Sequence, residues 1–516
     1  MNKLWSVYIL LTLSGCIILL SGIQVAQHKV FWSGDETISY LCATGNQENF
    51  NTVALQTEHA EVNTTVWKNL TSINEPYCFE KIATELAISD LHPPLYFWLL
   101  HIYFTLFDVS IQAGVILNIV LHLLSLIALF ALARKLSFTP IASAIICLLW
   151  ALSPAALSVD FYARQYALLG LVHLLYAVCY LTWMERPTKI TILLLVVCST
   201  LGFLTHYSFI YTVAGYFIFT LLNRNKIGRN HIVALATTYL VAGLLLSLLH
   251  PHFAHQFQLQ QERAQTFEAI KLVARLGKTV LAFCNFFVPL LLLKQVFVNI
   301  SPKLLLLVAG LAISALAIYG WFIRNKLRSI VNSIQSYIFQ KISFPAFITL
   351  WIGLVSVLPY LFFITPFHAM GAQYLVCLYP FMAILLYKLI FRSQIQITFL
   401  TIVFLGGSCL SVYVFTAKQS SLVTLRNQIS DANYIICDKG DRRNIGRVIP
   451  YLQRDKIITI ENPIDSLKAE DRNALVLIST YEKPTYSLSN QQHYYDFDDW
   501  GGFVVMKSGM QREKNK

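Results

Sequence analysis

The feature that most constrains this chain is a succession of long uncharged apolar runs separated by short basic loops. The first run, LWSVYILLTLSGCIILLSGI from Leu4 to Ile23, carries no charge and is long enough to cross the ~30 Å hydrocarbon core of a bilayer. No small-residue cleavage site follows it, so it is expected to stay as a first helix. Further runs fill 92–250 and the stretch up to residue 416. With 56% hydrophobic and only 13% charged residues over 516 positions, no single water-soluble core accounts for the composition. The reading is an all-α polytopic membrane protein with about 11–13 transmembrane helices, from the ~20-residue spanning length.

A net charge of +12 raises the question of nucleic acid. The basic residues instead sit in short loops: Arg134 and Lys135; Arg186 and Lys189; Arg224, Lys226 and Arg229; Arg324, Lys326 and Arg328; Arg392. They form no basic surface, so no nucleic-acid partner is expected, and the positive-inside rule makes those loops cytoplasmic. One parity conflict follows. If HPPLYFWLLHIYFTLF (His92 to Phe107) crosses fully, Arg134 and Lys135 land outside; if it lies at the interface or re-enters, they land inside. The segment Phe283 to Val298 poses the same problem.

Two regions are polar enough to leave the membrane. Residues 24–91 form a first extracytoplasmic loop rich in Asn, Thr and Glu, within a membrane domain spanning 1–416. Residues 417–516 read as a small extracytoplasmic α/β domain, with NYIICD, KIITI, ALVLIST and GGFVVMKS as short buried strands. A second polar loop, 251–279, ends in an apolar-periodic stretch that reads as an interfacial helix. Seven of the 10 cysteines lie within apolar runs and need no function, whereas Cys42 and Cys78 share the first loop and are candidates for a disulfide.

Ionisable residues at helix mouths carry the functional signal, because burying them in lipid costs several kcal/mol unless they line a wet cavity. On the extracytoplasmic face these are Asp35 and Glu36 in FWSGDETISY, Asp90 and His92 in SDLHPPLYF, and Asp160, Arg164 and Tyr166 in DFYARQYALL. His206 and Tyr207 in LTHYSF and His368, Gln373 and Tyr374 in FHAMGAQYL complete the set. Each has a bland alternative: a solvated helix end for the acidic pair, a helix start for the double proline, a snorkelling side chain for Arg164. Their gathering on one face is less easily dismissed.

An acidic pair after the first helix, then HPPLYF, YARQYALL and THYSF in this order, resembles the GT-C glycosyltransferases over roughly residues 1–390. The likeness is to the branch of protein O-mannosyltransferases and lipid A aminoarabinose transferases, glycosyltransferase family 39 in type. The resemblance implies a GT-C fold and a polyprenyl-phosphate-linked sugar as donor. It implies a lipid A, glycan or protein acceptor, and an inner (plasma) membrane location with the site facing outward. It assigns the catalytic base to Asp35, with Glu36 secondary. A departing phosphate needs cationic or hydrogen-bonding partners, and the resemblance points to Arg164 and His92, with Tyr166, His206, Tyr207, Gln373 and Tyr374 lining the sugar-phosphate cavity. Relatives often carry Arg at the position of Gln373. A neutral amide cannot replace that cation, which places more weight on Arg164.

No cofactor is expected. A divalent ion on the acidic pair stays an alternative, although two adjacent carboxylates alone are a poor site. The rival function classes are a transporter or flippase for a lipid-linked sugar, and a non-catalytic binding protein. Ionisable residues at helix mouths and the lack of an internal repeat weigh against the transporter.

Overall fold

A computed structural model of the chain describes residues 3–90, 92–263, 286, 372–390, 394–438, 442–461, 475–480, 493–498 and 501–507. Helix α1 (Lys3–His28) is the first membrane helix. The polar loop that follows is itself folded into α2 (Gly34–Ala43), α3 (Gln47–Thr57), α4 (Thr64–Asn69) and α5 (Phe79–Ser89). Ser33 starts α2 through a capping box with Glu36, and Asn63 caps α4 by accepting from Thr65 N. Then come α6 (Leu95–Phe107), α7 (Ala113–Lys135), α8 (Pro140–Ala151), α9 (Pro154–Ser158), α10 (Tyr166–Glu185), α11 (Lys189–Thr205), α12 (Phe209–Leu222), α13 (Arg224–Ile227), α14 (Arg229–Leu249) and α15 (Phe253–Arg263). Helices Tyr379–Ile390 and Gln394–Ser421 lead to the C-terminal part.

Among the described residues, five helices are long and apolar enough to cross a membrane. A sixth crossing is available if α8 and α9 count as one span bent by 56°. The break has a local cause. Pro154 has no N–H to continue α8, and Ser153 restarts the helix by accepting from Ala156 N. Helix α15 fills the first half of the second polar loop, while the expected interfacial helix around Phe267 to Leu276, the segment Phe283 to Val298 apart from Phe286, and His368 lie outside the described residues.

The parity conflict is addressed at its first segment, His92 to Phe107. At 13 residues α6 is about 20 Å long, short of a bilayer's hydrocarbon. Its N-terminus follows His92, and the chain beyond it returns at once to the same end, where Tyr40 Oη donates to Ile111 O at 2.9 Å. Helix α6 therefore does not carry the chain across, and α7 does. Gly114, near the start of α7, donates its N–H to Tyr40 Oη at 3.0 Å, while Arg134 and Lys135 end the helix at the far side. The basic ends of α7, α10 and α11 share that far end, tied by Lys135 Nζ to Glu185 Oε2 at 2.5 Å.

The C-terminal part forms a mixed sheet in which β1 (Val62–Asn63) comes from the first loop. The others are β2 (Tyr434–Asp438), β3 (Ile457–Glu461), β4 (Leu475–Thr480), β5 (His493–Asp498) and β6 (Gly501–Lys507), in the order β1-β3-β2-β4-β6-β5. The four anticipated strands are present; β1 and β5 are additions. Strand β1 pairs antiparallel with β3, Val62 opposite Ile458, while β2 runs parallel to both β3 and β4. Val30, Phe31, Phe50 and Trp67 of the loop share one apolar core with Leu425, Ile435, Val448 and Ile458 of the tail. Loop and tail are one body on one side of the membrane domain.

The disulfide expectation is corrected. Cys42 and Cys78 are both free and buried. Cys42 packs inward from α2 with no exposed surface, and Cys78, at the N-cap of α5, turns its Sγ to within 4.0 Å of His101 Nε2. Each serves as a small apolar side chain.

Candidate active site

The first turn of α2 sets the site. Asp35 and Glu36 are adjacent on that turn and differ completely in surroundings. Glu36 has no exposed surface. Its Oε1 accepts from Lys29 Nζ at 2.7 Å and from Ala163 N at 2.7 Å, and its Oε2 accepts from Ser33 N at 2.8 Å. Lys29 is held further by Phe161 O at 2.6 Å and lies over the rings of Tyr162 and Phe415. Burial lowers the Lys29 pKa, and the Glu36 carboxylate works against that shift. This pair joins the end of α1 to the 3-10 turn Val159–Phe161 and the segment that carries Arg164.

Asp35 is partly exposed, and its carboxylate makes no hydrogen bond among the described residues. Its backbone carbonyl is engaged: Arg164 Nη1 donates to Asp35 O and to Ser39 Oγ, both at 3.2 Å. The other side of the same guanidinium faces His92, with Nη2 3.4 Å from Nδ1 and 3.5 Å from Nε2. Asp90 completes the group, its Oδ1 2.6 Å from His92 Nδ1 and its Oδ2 3.6 Å from Arg164 Nη1. Arg164 is 7% exposed, so its charge is presented from a largely desolvated wall, where it acts more strongly than in water.

His206, at the C-cap of α11, continues the wall. Its ring centroid is 5.8 Å from that of His92 and 6.0 Å from that of Tyr166. Burial first, then His92 and Arg164, hold its pKa down to about 3, so it is neutral at physiological pH. Ser208 N donates to His206 Nδ1 at 3.1 Å, which leaves the ring proton on Nε2 as a donor. Tyr207 points elsewhere. Its hydroxyl meets His250 Nε2 at 3.1 Å and donates to Gln256 Oε1, whose amide in turn donates to Asp90 O at 3.2 Å. Tyr207 thus supports the site through α15.

Asp35, His92, Arg164, Tyr166 and His206 are brought together, while Glu36 and Tyr207 stand behind them. Gln373 lies on the 3-10 turn Ala372–Leu375, which packs against α9, and its side chain makes no hydrogen bond to the Arg164 group among the described residues. Tyr374 is on the same turn, and its side chain lies outside the described ones. Sequence reasoning missed Lys29, Ser39, His250 and Gln256. Lys29 had a signal, as the first unambiguous cation after α1.

A second polar pair sits deeper. His122 Nδ1 and Asp160 Oδ2 are 2.5 Å apart in a small cavity lined also by Ser125, Trp150, Gly170 and Val376. It secures the turn that leads into Arg164.

Residues 91–255, about a third of the chain, match the family model described as dolichyl-phosphate-mannose-protein mannosyltransferase. No curated protein matches the chain by sequence. Among solved structures, ArnT from Cupriavidus metallidurans, bound to undecaprenyl phosphate, aligns at TM-score 0.51 and 13% identity, covering 98% of both chains. The Archaeoglobus fulgidus oligosaccharyltransferase in its apo form aligns at TM-score 0.44 and 12% identity, covering 92% of this chain and 70% of that one. End-to-end correspondence with ArnT in architecture, together with the match of the segment around Arg164 to that family model, shows a membrane protein with the GT-C fold.

Proposed function

We propose that this protein transfers a sugar from a polyprenyl-phosphate-linked donor to an extracytoplasmic acceptor, with inversion at the anomeric carbon and Asp35 as base. The observation that carries the reading is the contrast within the first turn of α2. Glu36 is fully engaged, and Asp35 presents a carboxylate that makes no hydrogen bond among the described residues, beside a buried Arg164.

Asp35 takes the proton of the acceptor's hydroxyl or amine as that atom bonds to the anomeric carbon. The bond from that carbon to the phosphate oxygen breaks, and the polyprenyl phosphate leaves with the electron pair. An ionised phosphate needs no protonating acid, so one carboxylate suffices, unlike the paired acids of glycoside hydrolysis. Arg164 offers charge to the leaving group, with the Nε2 proton of His206 as a neutral donor beside it. The apolar anchor of the donor explains why the base stands at a helix mouth, level with the lipid headgroups.

The reaction is proposed to be metal-independent. Both Glu36 oxygens are already taken, so the acidic pair cannot present two carboxylates to an ion. The acceptor class is lipid A, glycan or protein, and the membrane is the inner membrane of a bacterium. The test is transfer of radiolabel from polyprenyl-phosphate-sugars in membranes carrying the unmodified chain or Asp35→Asn, with and without EDTA. Label should reach an acceptor with the unmodified chain only, and EDTA should leave the rate unchanged. Full transfer by Asp35→Asn removes the mechanism.

A further inference from the structure

We infer that the C-terminal domain belongs to the catalytic unit, with Arg447 as the positioning residue that sets the first turn of α2 and through it the carboxylate of Asp35. The inference rests on the reading of Asp35 as base, and it comes from how the tail is fastened to residues 30–37.

The short helix Arg442–Val448 packs along α2. The approach is so close that a Cβ on Gly446 would fall 2.1 Å from Thr37 Cγ2. Arg447, next to it, is 1% exposed and rests on Gly34, where an added Cβ would stand 2.9 Å from Nη2. Neither Gly34 nor Gly446 has a positive φ, and at Gly446 the close approach to Thr37 is what calls for glycine.

Upstream of Asp35 the tail holds the chain again. Gln419 Oε1 accepts from Val30 N at 2.7 Å and from Phe31 N at 3.0 Å, and the Tyr451 hydroxyl donates to Val30 O. The rings of Phe31 and Tyr451 meet edge to face at 4.9 Å. Asp35 is therefore clamped between two surfaces: Arg164 grips its carbonyl from the membrane domain, and Arg447 backs Gly34 from the tail.

The charge is informative as well as the shape. A cation at a helix N-terminus opposes the helix dipole, and burying a guanidinium costs free energy that an apolar side chain of the same volume avoids. The first turn of α2, against which Arg447 lies, is acidic, with Asp35 and Glu36. A residue needed only to fill space has no reason to carry that charge.

The experiment uses the full chain with Arg447→Met and Arg447→Lys. One readout is the rate at which a maleimide alkylates Asp35→Cys in each background, which reports the placement of residue 35 without requiring activity. Alkylation should change several-fold with Arg447→Met and return toward the original rate with Arg447→Lys. The second readout is sugar transfer in chains that retain Asp35. With Arg447→Met, kcat should fall roughly 100-fold, as expected for a misplacement of about 1 Å, while KM for the donor is unchanged. Should Arg447→Met fail to fold, Arg447→Lys decides alone: it should label Asp35→Cys as the unmodified residue does and keep most of kcat. Unchanged alkylation and kcat with folded Arg447→Met overturn the inference, as does loss of kcat with alkylation unchanged. If the unmodified chain transfers no sugar, the proposed function fails, and alkylation still tests the positioning.

Discussion

Glu36 and Asp35 are neighbours in sequence and opposites in environment, and substitutions should separate them cleanly. Glu36→Gln leaves the buried Lys29 ammonium without its charge partner, a loss on the order of 3–5 kcal/mol for a broken buried pair. Asp35→Asn disturbs no hydrogen bond of the side chain among the described residues. Thermal unfolding of the purified proteins in detergent should therefore show Glu36→Gln melting well below the unmodified chain and Asp35→Asn melting with it. If Glu36→Gln melts normally, the buried pair is not the brace described. The motif DE was legible from the sequence, and the division of labour inside it was not. It depends on Ala163, which arrives from 127 residues away, and on Lys29, which sequence reading passed over. Arg164 and His92 were legible because a charged or polar residue at a helix mouth has few cheap explanations. Gln373 was named by analogy of position, and the turn that carries it packs on α9.

At the scale of elements, the loop 24–91 read as polar sequence and is a small helical subdomain. Its helices are short, and their stability comes from caps and from packing against the tail, neither of which leaves a strong periodic signal. Glu85 of α5 is the clearest case. It is 3% exposed and its Oε2 accepts from Gln47 N at 3.0 Å, capping the start of α3. Burial pushes its carboxyl up to about 7, against ~4.3 in an unfolded chain. The folded state thus binds this proton more tightly, so the stability it contributes is fully present below ~4.3 and is lost as the pH rises toward 7. Glu85→Gln keeps an acceptor oxygen and removes the titration. Melting temperatures measured at pH 5 and pH 8 should fall more with rising pH in the unmodified chain than in Glu85→Gln, and equal slopes would clear Glu85 of this role. The same subdomain holds Cys42 and Cys78, expected as a bridge, as two free buried thiols, Cys78 Sγ lying 4.0 Å from His101 Nε2.

On the scale of the whole molecule, among the described residues the basic ends of α7, α10 and α11 lie at the opposite end of those helices from Gly114, Tyr166 and His206. What patterning could not reach is the sheet, because β1 is two residues long and joins a strand nearly four hundred positions away. Yet that pairing makes loop and tail a single body. Val62 lies opposite Ile458 in an antiparallel pair, where facing Cα atoms are about 4.5–5.5 Å apart, within disulfide range. In a background with Cys16 and Cys409 replaced by Ser, Val62→Cys with Ile458→Cys should therefore oxidise to a cross-link that holds the two halves together after proteolysis between them. Val62→Cys with Val476→Cys should not, since β3 and β2 stand between β1 and β4. A membrane-impermeant thiol reagent should reach Asn63→Cys and Ile457→Cys, the exposed pair next in register, from the same side of sealed vesicles, because two strands of one sheet cannot face opposite compartments. Cross-linking of the control pair at the same rate would mean that loop and tail meet by collision, and the clamp on Asp35 would then lack its foundation.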